Sequence, residues 1–204
     1  YLLVSEMKNI IIASSNEHKI SEIITTIQPF FDKIYSLSDF PEIGDIKEDG
    51  TSIVENSFIK SRVTFNLTKL PSMADDTILE VDCLMGDPGI YTARYAGENA
   101  TYEDNMNKLL ENMKGIPFNE RTARFKTVVT YVDGKNDFFV EGCLEGKILE
   151  ERQGSLGFGY DPIFYASKQK ISLGNMSLKE KNEISHRALA IHKFADKIKK
   201  LMYV

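Results

Sequence analysis

Asp75 and Asp76 stand side by side near the middle of the chain, between Met73-Ala74 and Thr77-Ile78-Leu79. Two adjacent carboxylates repel each other unless something cationic neutralises them, and the usual agent is a divalent metal with oxygen ligands. The same pair also serves as a polar turn between strands, and nothing in its own composition separates the two readings. Aliphatic residues resume directly after the acids. That pattern predicts a strand ending at the pair and a second, alternating strand over residues 79–84.

Other residues have types suited to binding phosphate or a base. Ser14-Ser15-Asn16 separates an apolar run from a helical pattern that carries Lys19. Such a loop meets a guest with backbone N–H groups, the positive end of a helix dipole, a side-chain donor and a cation. Phosphate fits that set, although the loop lacks the glycines of a P-loop and small polar residues also act as plain helix caps. Gly157-Phe158-Gly159-Tyr160-Asp161 combines close backbone approach, two flat rings and an acceptor, which is what stacking on and hydrogen-bonding a base requires. A glycine-rich loop whose rings are core has the same composition. His186 and Arg187 follow Ser185 and fall in the first turn of a final helix, where an imidazole, a forked guanidinium and free N–H groups suit an anion. A His-Arg pair at a helix start is also common as plain surface, and Lys181 nearby favours the anion reading.

These side chains need elements to position them. Residues 9–13 form an apolar run of strand length, followed by Lys19, Ile20, Ile23, Ile24 and Ile27 at helical spacing. Residues 33–37 read as a short strand. Ser52 and Glu55 form a capping box for a helix whose Ile53, Ile59, Val63 and Leu67 supply a core face, with Asn56 and Lys60 on another face turned to a cleft or to solvent. Arg94, between Tyr91 and Tyr95, is either a stacked guanidinium or a surface residue over aromatic rings. Thr101 with Asp104 starts a helix with Met106, Leu109, Leu110 and Met113 as its core positions. Residues 124–132 and 138–149 flank Asp133-Gly134 as a β-hairpin. Ser177 with Glu180 caps a short helix, and Ser185 caps the last one, whose core positions are Ala190, Phe194, Ile198 and Leu201. Long hairpin strands beside a strand–loop–helix opening predict an α/β fold with a mixed rather than a purely parallel sheet.

At 204 residues and 42% hydrophobic content, the chain can bury a sizeable core. The net charge of -5, with acids and bases interspersed, offers no basic stripe for a nucleic-acid polymer, while small anionic ligands remain open. Cys83 and Cys143 sit in apolar alternating segments, which predicts reduced, buried thiols and a cytoplasmic protein. No apolar run approaches the ~20 residues that cross a bilayer, so no membrane association is expected. No repeat or linker divides the chain; residues 7–204 are expected to form one domain, and residues 1–6, ahead of Met7, are candidates for an upstream extension.

Together and in this order, the motifs resemble those of the Ham1 or ITPase family, nucleoside-triphosphate pyrophosphatases that remove inosine and xanthosine triphosphates. The resemblance runs from about Asn9 to Leu201 and is carried by Ala13-Ser14-Ser15-Asn16-Glu17-His18-Lys19, Glu48-Asp49-Gly50-Thr51, Glu55-Asn56-Ser57-Phe58-Ile59-Lys60, Ala74-Asp75-Asp76, Gly86-Asp87-Pro88-Gly89-Ile90-Tyr91-Thr92-Ala93-Arg94-Tyr95-Ala96-Gly97, Gly157-Phe158-Gly159-Tyr160-Asp161-Pro162 and Lys181-Asn182-Glu183-Ile184-Ser185-His186-Arg187. It implies an α/β fold of ITPase type, with a long mixed β-sheet flanked by helices, two lobes with a central substrate cleft, and a homodimer. It also implies that the loop over Ser14, Ser15, Asn16, Glu17, His18 and Lys19 holds the triphosphate together with Lys60. Glu48 and Asp76 would be carboxylates linked to Mg2+, with Asp76 as general base. By the same resemblance Thr77 would belong to the substrate site, Phe158 would stack on the purine, Gly159, Tyr160 and Asp161 would complete the base pocket, and Lys181, His186 and Arg187 would read the 6-oxo group and nearby phosphate or sugar oxygens.

The chain departs from the family pattern in two places. Bacterial members commonly carry Ser-Gly-Leu after the acidic pair, where this chain has Thr77-Ile78-Leu79, keeping a hydroxyl and losing glycine's backbone freedom. Ser14 and His18 stand where Thr and a small or variable residue are usual. The implied reaction converts ITP, dITP or XTP to the monophosphate and pyrophosphate by in-line attack of water at the α-phosphorus. Two rival readings are a nucleotide-binding protein without turnover and a pyrophosphatase for other modified nucleotides, such as methylated pyrimidine triphosphates.

Overall fold

A computed structural model of the chain describes residues 9–202, so the candidate extension over residues 1–6 lies outside the described residues. The elements in order are β1 (Asn9–Ile12), α1 (Glu17–Ile27), β2 (Lys33–Ser36), α2 (Ile53–Thr68), β3 (Ser72–Val81), β4 (Pro88–Gly89), α3 (Tyr102–Asn112), β5 (Thr122–Val132), β6 (Asp137–Ile148), β7 (Phe164–Ala166), β8 (Ile171–Ser172), α4 (Leu178–Ile184) and α5 (His186–Met202). The strands join in one sheet of order β2-β1-β3-β5-β6-β7-β8, with β4 paired to β3. β1 runs parallel to β2 and β3, whereas the β3–β4, β6–β7 and β7–β8 pairs are antiparallel. The expected mixed sheet is therefore present, and β5 and β6 are neighbours joined by the turn at Asp133. Among the described residues, no helix is long and apolar enough to cross a membrane.

The chain divides into two compact units. The first takes in the described residues up to Asp76, Thr127–Gly142 and those from Arg187 on; the second takes in Thr77–Lys126 and Cys143–His186. In the first unit, Ile23 and Ile27 of α1 and Ala190, Phe194 and Ile198 of α5 pack on Ile10, Ile12, Met73, Val129 and Tyr131. Strand residues of opposite parity face the other side, where α2 lies.

α2 does not bury the face that its aliphatic residues suggested. Its buried side chains are Asn56, Ser57, Lys60, Ser61 and Thr64, while Leu67 is 62% exposed. The strands beneath it offer hydroxyls and a carbonyl instead of an apolar surface. Ser57 Oγ donates to Ala74 O at 3.1 Å, Thr130 Oγ1 lies 3.0 Å from both Ser57 Oγ and Ser61 Oγ, and Ser72 Oγ donates to Ser61 O at 2.7 Å. Small polar side chains let the helix approach closely and pair with one another there, which satisfies groups that burial would otherwise leave without partners.

In the second unit, Met106 and Leu109 of α3 and Met113, which caps it, pack with Phe125, Leu144, Ile148, Ile163 and Phe164. The capping boxes expected at Thr101/Asp104 and Ser177/Glu180 are both present. Arg94 lies over the Tyr91 ring at 5.5 Å and meets Glu98 at 3.5 Å. The expectation of buried thiols is corrected: Cys83 and Cys143 are free and exposed. Cys83 falls in a short 3-10 turn after β3, and Cys143 lies on the solvent side of β6, where exposed and buried residues alternate.

Candidate active site

The two central acids lie inside β3, not at a strand end, and the second strand expected after them is the continuation of the same one. No turn is needed to relieve their repulsion, because strand alternation sends the two side chains to opposite faces and each finds cations there. Asp75 is 1% exposed, and its Oδ2 accepts from Arg187 Nε at 3.0 Å and meets Lys19 Nζ at 3.3 Å. Arg187 NH1 reaches Glu22 Oε2 at 2.5 Å. Burial alone would raise the Asp75 pKa, but Lys19 and Arg187 hold it well below the usual carboxylate range. Burial likewise works against the Arg187 charge, and Asp75 and Glu22 more than restore it.

The Arg187 guanidinium, expected to meet an anion, is buried and pairs with two carboxylates of its own chain. Glu22 went unnoticed in the sequence, although a signal existed: it lies three residues after Lys19, on the same face of α1.

On the other face, Lys60 Nζ collects three oxygens: Asp75 O at 2.8 Å, Glu48 Oε2 at 3.1 Å and Asp76 Oδ1 at 3.5 Å. Asn56, four residues earlier on α2, accepts from Gly50 N at 2.8 Å and so draws the loop carrying Glu48 onto the helix. A Cβ at Gly50 would stand 2.7 Å from Asn56 Oδ1, so this closure needs glycine. Asn56 and Lys60 therefore share a face, as their spacing indicated, and that face is buried. Burial raises the Asp76 pKa; Lys60 and Lys19 oppose the rise, while Glu48 and Asp75 add to it. Burial disfavours the charge on Lys60, yet Asp76 and Glu48 raise its pKa overall. For Lys19 burial prevails over Asp75, and its pKa falls. Among the described residues no group of three or more His, Cys, Asp or Glu side chains stands ready as a complete metal cage. Glu48 and Asp76 are nonetheless two hard oxygen donors converging on one point.

The loop before α1 is ordered by its own side chains. Asn16 Oδ1 caps the helix, accepting from His18 N at 3.1 Å and Lys19 N at 3.3 Å, and Ser14 Oγ accepts from Asn16 N at 3.1 Å. Ser15, Glu17 and His18 are exposed, and Lys19 turns back to Asp75. The helix-cap reading thus holds for the Asn16 side chain.

In the second unit, Asp161 is 2% exposed and accepts from Phe158 N at 2.8 Å and from Lys181 Nζ at 2.5 Å. Gly157 has φ +77°, and a Cβ there would stand 2.1 Å from Asp161 Oδ2, so glycine lets the carboxylate reach the loop backbone. Phe158 and Gly159 are half-buried, and Lys181 Nζ lies 4.6 Å from the Phe158 ring centroid. Tyr160 joins the apolar core, and its hydroxyl donates to Thr92 O at 2.9 Å. His186 is 3% exposed and stacks on Phe125 at 4.5 Å. Of the two rings in the glycine loop, then, Phe158 retains exposed surface and Tyr160 does not. Thr77 is half-buried.

The sequence profile of the Ham1 family matches residues 10–197. The dITP/XTP pyrophosphatase of Thermoanaerobacter pseudethanolicus is 46% identical over 191 residues, covering 94% of this chain and 96% of that protein. That of Photobacterium profundum is 40% identical over 190 residues, covering 92% and 96%. The solved structure of the Staphylococcus aureus Ham1 protein superimposes with a TM-score of 0.86 at 35% identity, covering 95% of this chain and all of that one, 100%. A profile matched over nearly the whole chain, with relatives of the same length and fold, means that this chain belongs to the Ham1 family.

Proposed function

We infer that the protein is a nucleoside-triphosphate pyrophosphatase that hydrolyses the non-standard purine nucleotides dITP, XTP and ITP to the nucleoside monophosphate and pyrophosphate. The observation that carries this reading is Lys60, a buried ammonium held between Glu48 and Asp76 with Lys19 close by, in a chain whose relatives are named dITP/XTP pyrophosphatases. Lys60 and Lys19 supply cations to a triphosphate, and Ser14 and Ser15 supply the loop beside them. Glu48 and Asp76 suit a magnesium ion, which is commonly held by one or two carboxylates with phosphate oxygens and water completing its shell. When bound, the metal supplies neutralisation of the charge that develops on the phosphates.

The remaining chemistry belongs to the chain. Burial raises the proton affinity of Asp76, so that it orients a water and takes its proton as the water oxygen bonds to the α-phosphorus. The bond from that phosphorus to its bridging oxygen breaks, and the electron pair leaves with pyrophosphate. Asp75 stays ionised as the counter-ion of Arg187 and Lys19. Phe158 gives the base a stacking face, and Lys181 beside it donates to a 6-oxo group. An adenine would turn its amino group toward the same ammonium, which disfavours it.

In this reading the enzyme acts on the free nucleotide pool of the cytoplasm, as a homodimer. A panel of nucleoside triphosphates assayed for pyrophosphate with and without magnesium tests the assignment. dITP, XTP and ITP are expected to be turned over far faster than ATP or dTTP, and only with the metal. Equal rates across the panel would overturn the purine-editing assignment, and nucleotide binding without release would leave a binding protein.

A further inference from the structure

Tyr102 opens α3 and keeps 44% of its surface exposed. Its ring leans on Phe158, with centroids 6.0 Å apart and planes at 46°. Local structure holds both sides of this contact. Thr101 Oγ1 accepts from Asp104 N at 3.1 Å and Asp104 Oδ2 accepts from Thr101 N at 2.8 Å, which fixes the turn that carries Tyr102. Arg152, in the segment leading to the glycine loop, reaches Glu103 Oε1 at 3.2 Å and Asn107 Oδ1 at 2.7 Å, tying that segment to the same part of α3. Phe158 itself is anchored through its backbone N–H on Asp161. Lys181, 4.6 Å from the Phe158 centroid, is buried, whereas Tyr102 is exposed.

We propose that Tyr102 is the second wall of the base subsite, a substrate-binding residue that flanks a purine stacked on Phe158 and adds to its affinity independently of the phosphates. The proposal rests on the reading of Phe158 as base platform given above. Two rings at this separation and tilt form an aromatic corner: a base lying on one ring meets the other at a tilt and adds its apolar face to the contact. The contact needs the ring and not the hydroxyl, so phenylalanine should replace it and alanine should not.

The test compares wild type, Tyr102→Ala and Tyr102→Phe in dITP turnover, with inorganic tripolyphosphate, which has no base, as a competing inhibitor. Loss of one aromatic contact to a base is expected to raise the KM for dITP about five- to tenfold in Tyr102→Ala, with kcat within about twofold. Tyr102→Phe should match wild type, and inhibition by tripolyphosphate should be the same in all three. An unchanged KM in Tyr102→Ala, or a parallel weakening of tripolyphosphate inhibition, would overturn the proposal. Wild type that releases no pyrophosphate from dITP would overturn the functional reading with it; active wild type beside an indifferent Tyr102→Ala would overturn this inference alone.

Discussion

Arg187 Nε and Asp75 Oδ2 are 3.0 Å apart, although 112 residues separate them along the chain. Glu22 holds the other arm of the guanidinium, and Lys19 shares the Asp75 carboxylate, so two helices and a central strand meet in one buried set of alternating charges. With Asp75 ionised there, its neighbour Asp76 keeps the different surroundings that raise its proton affinity. The pair thus divides into one acid held ionised and one whose proton affinity is raised.

Asp75→Asn should destabilise the fold by about 3–5 kcal/mol, because removing one member of a buried ion pair leaves its partners uncompensated. Urea unfolding measures this. The sign with pH follows from the lowered pKa: an unfolded chain takes up a proton at Asp75 near the ordinary value of 3.8, while the folded protein resists it. The contribution is fully present above that value and is lost as the pH falls below it. Wild type should therefore lose stability on acidification more steeply than Asp75→Asn; parallel curves would mean that Asp75 is not held ionised by the fold.

Asp76 should titrate above the ordinary carboxylate value of 3.8 in the metal-free protein, since burial disfavours its charge. Carboxyl carbon NMR reads the midpoint directly. Magnesium should lower that midpoint, as a nearby cation favours the ionised form. A midpoint that magnesium does not move would remove Asp76 from the metal site.

Asp76→Asn should cut kcat by about a hundredfold or more while changing nucleotide affinity little, the expected signature of a lost general base. Single-turnover kinetics with calorimetric binding separates the two quantities. Equal losses in both would assign Asp76 to binding alone.

Phe158→Ala should raise the KM for dITP about tenfold with kcat largely kept, since base–aromatic stacking contributes on the order of 1–3 kcal/mol. Steady-state kinetics decides. An unchanged KM would make Phe158 part of the packing of its loop.

Thr64 is fully buried on the inner face of α2, and its Oγ1 has no hydrogen-bond partner among the described residues. Thr64→Val removes that unsatisfied hydroxyl at nearly constant shape and should stabilise the protein by about 1 kcal/mol, raising Tm by about 2–4 °C. Thr130→Val is the contrast, because Thr130 Oγ1 pairs with Ser57 and Ser61 and its loss should lower Tm. A fall in both variants would show that Thr64 has a partner after all.

Much of the fold was legible because its signals are local. The run at Ile10, Ile11 and Ile12 reads as a buried strand, the caps at Thr101 and Ser177 lie three residues from their acids, and Phe194 and Ile198 repeat at helical spacing. The misreadings came where burial went against residue type. α2 buries Ser57 and Ser61 and leaves Leu67 outside, because the surface that meets it is itself hydroxylated. Tyr160 and Phe158 stand two residues apart, yet Tyr160 joins the core with its hydroxyl on Thr92 O while Phe158 keeps exposed surface.

By itself, the sequence determined the five helices, β1, β2 and the β5–β6 hairpin, the mixed sheet and the ordered motifs that mark the Ham1 family, since periodicity, caps and turn residues act over a few positions. Only the tertiary structure decided that Asp75 pairs inward with Arg187 while Asp76 faces Lys60 and Glu48, that Glu22 belongs to the same charge set, and that Tyr102 reaches Phe158. Those partners come from segments far apart in the chain, and whether a charge is a counter-ion or a reagent depends on which side of a strand meets which helix.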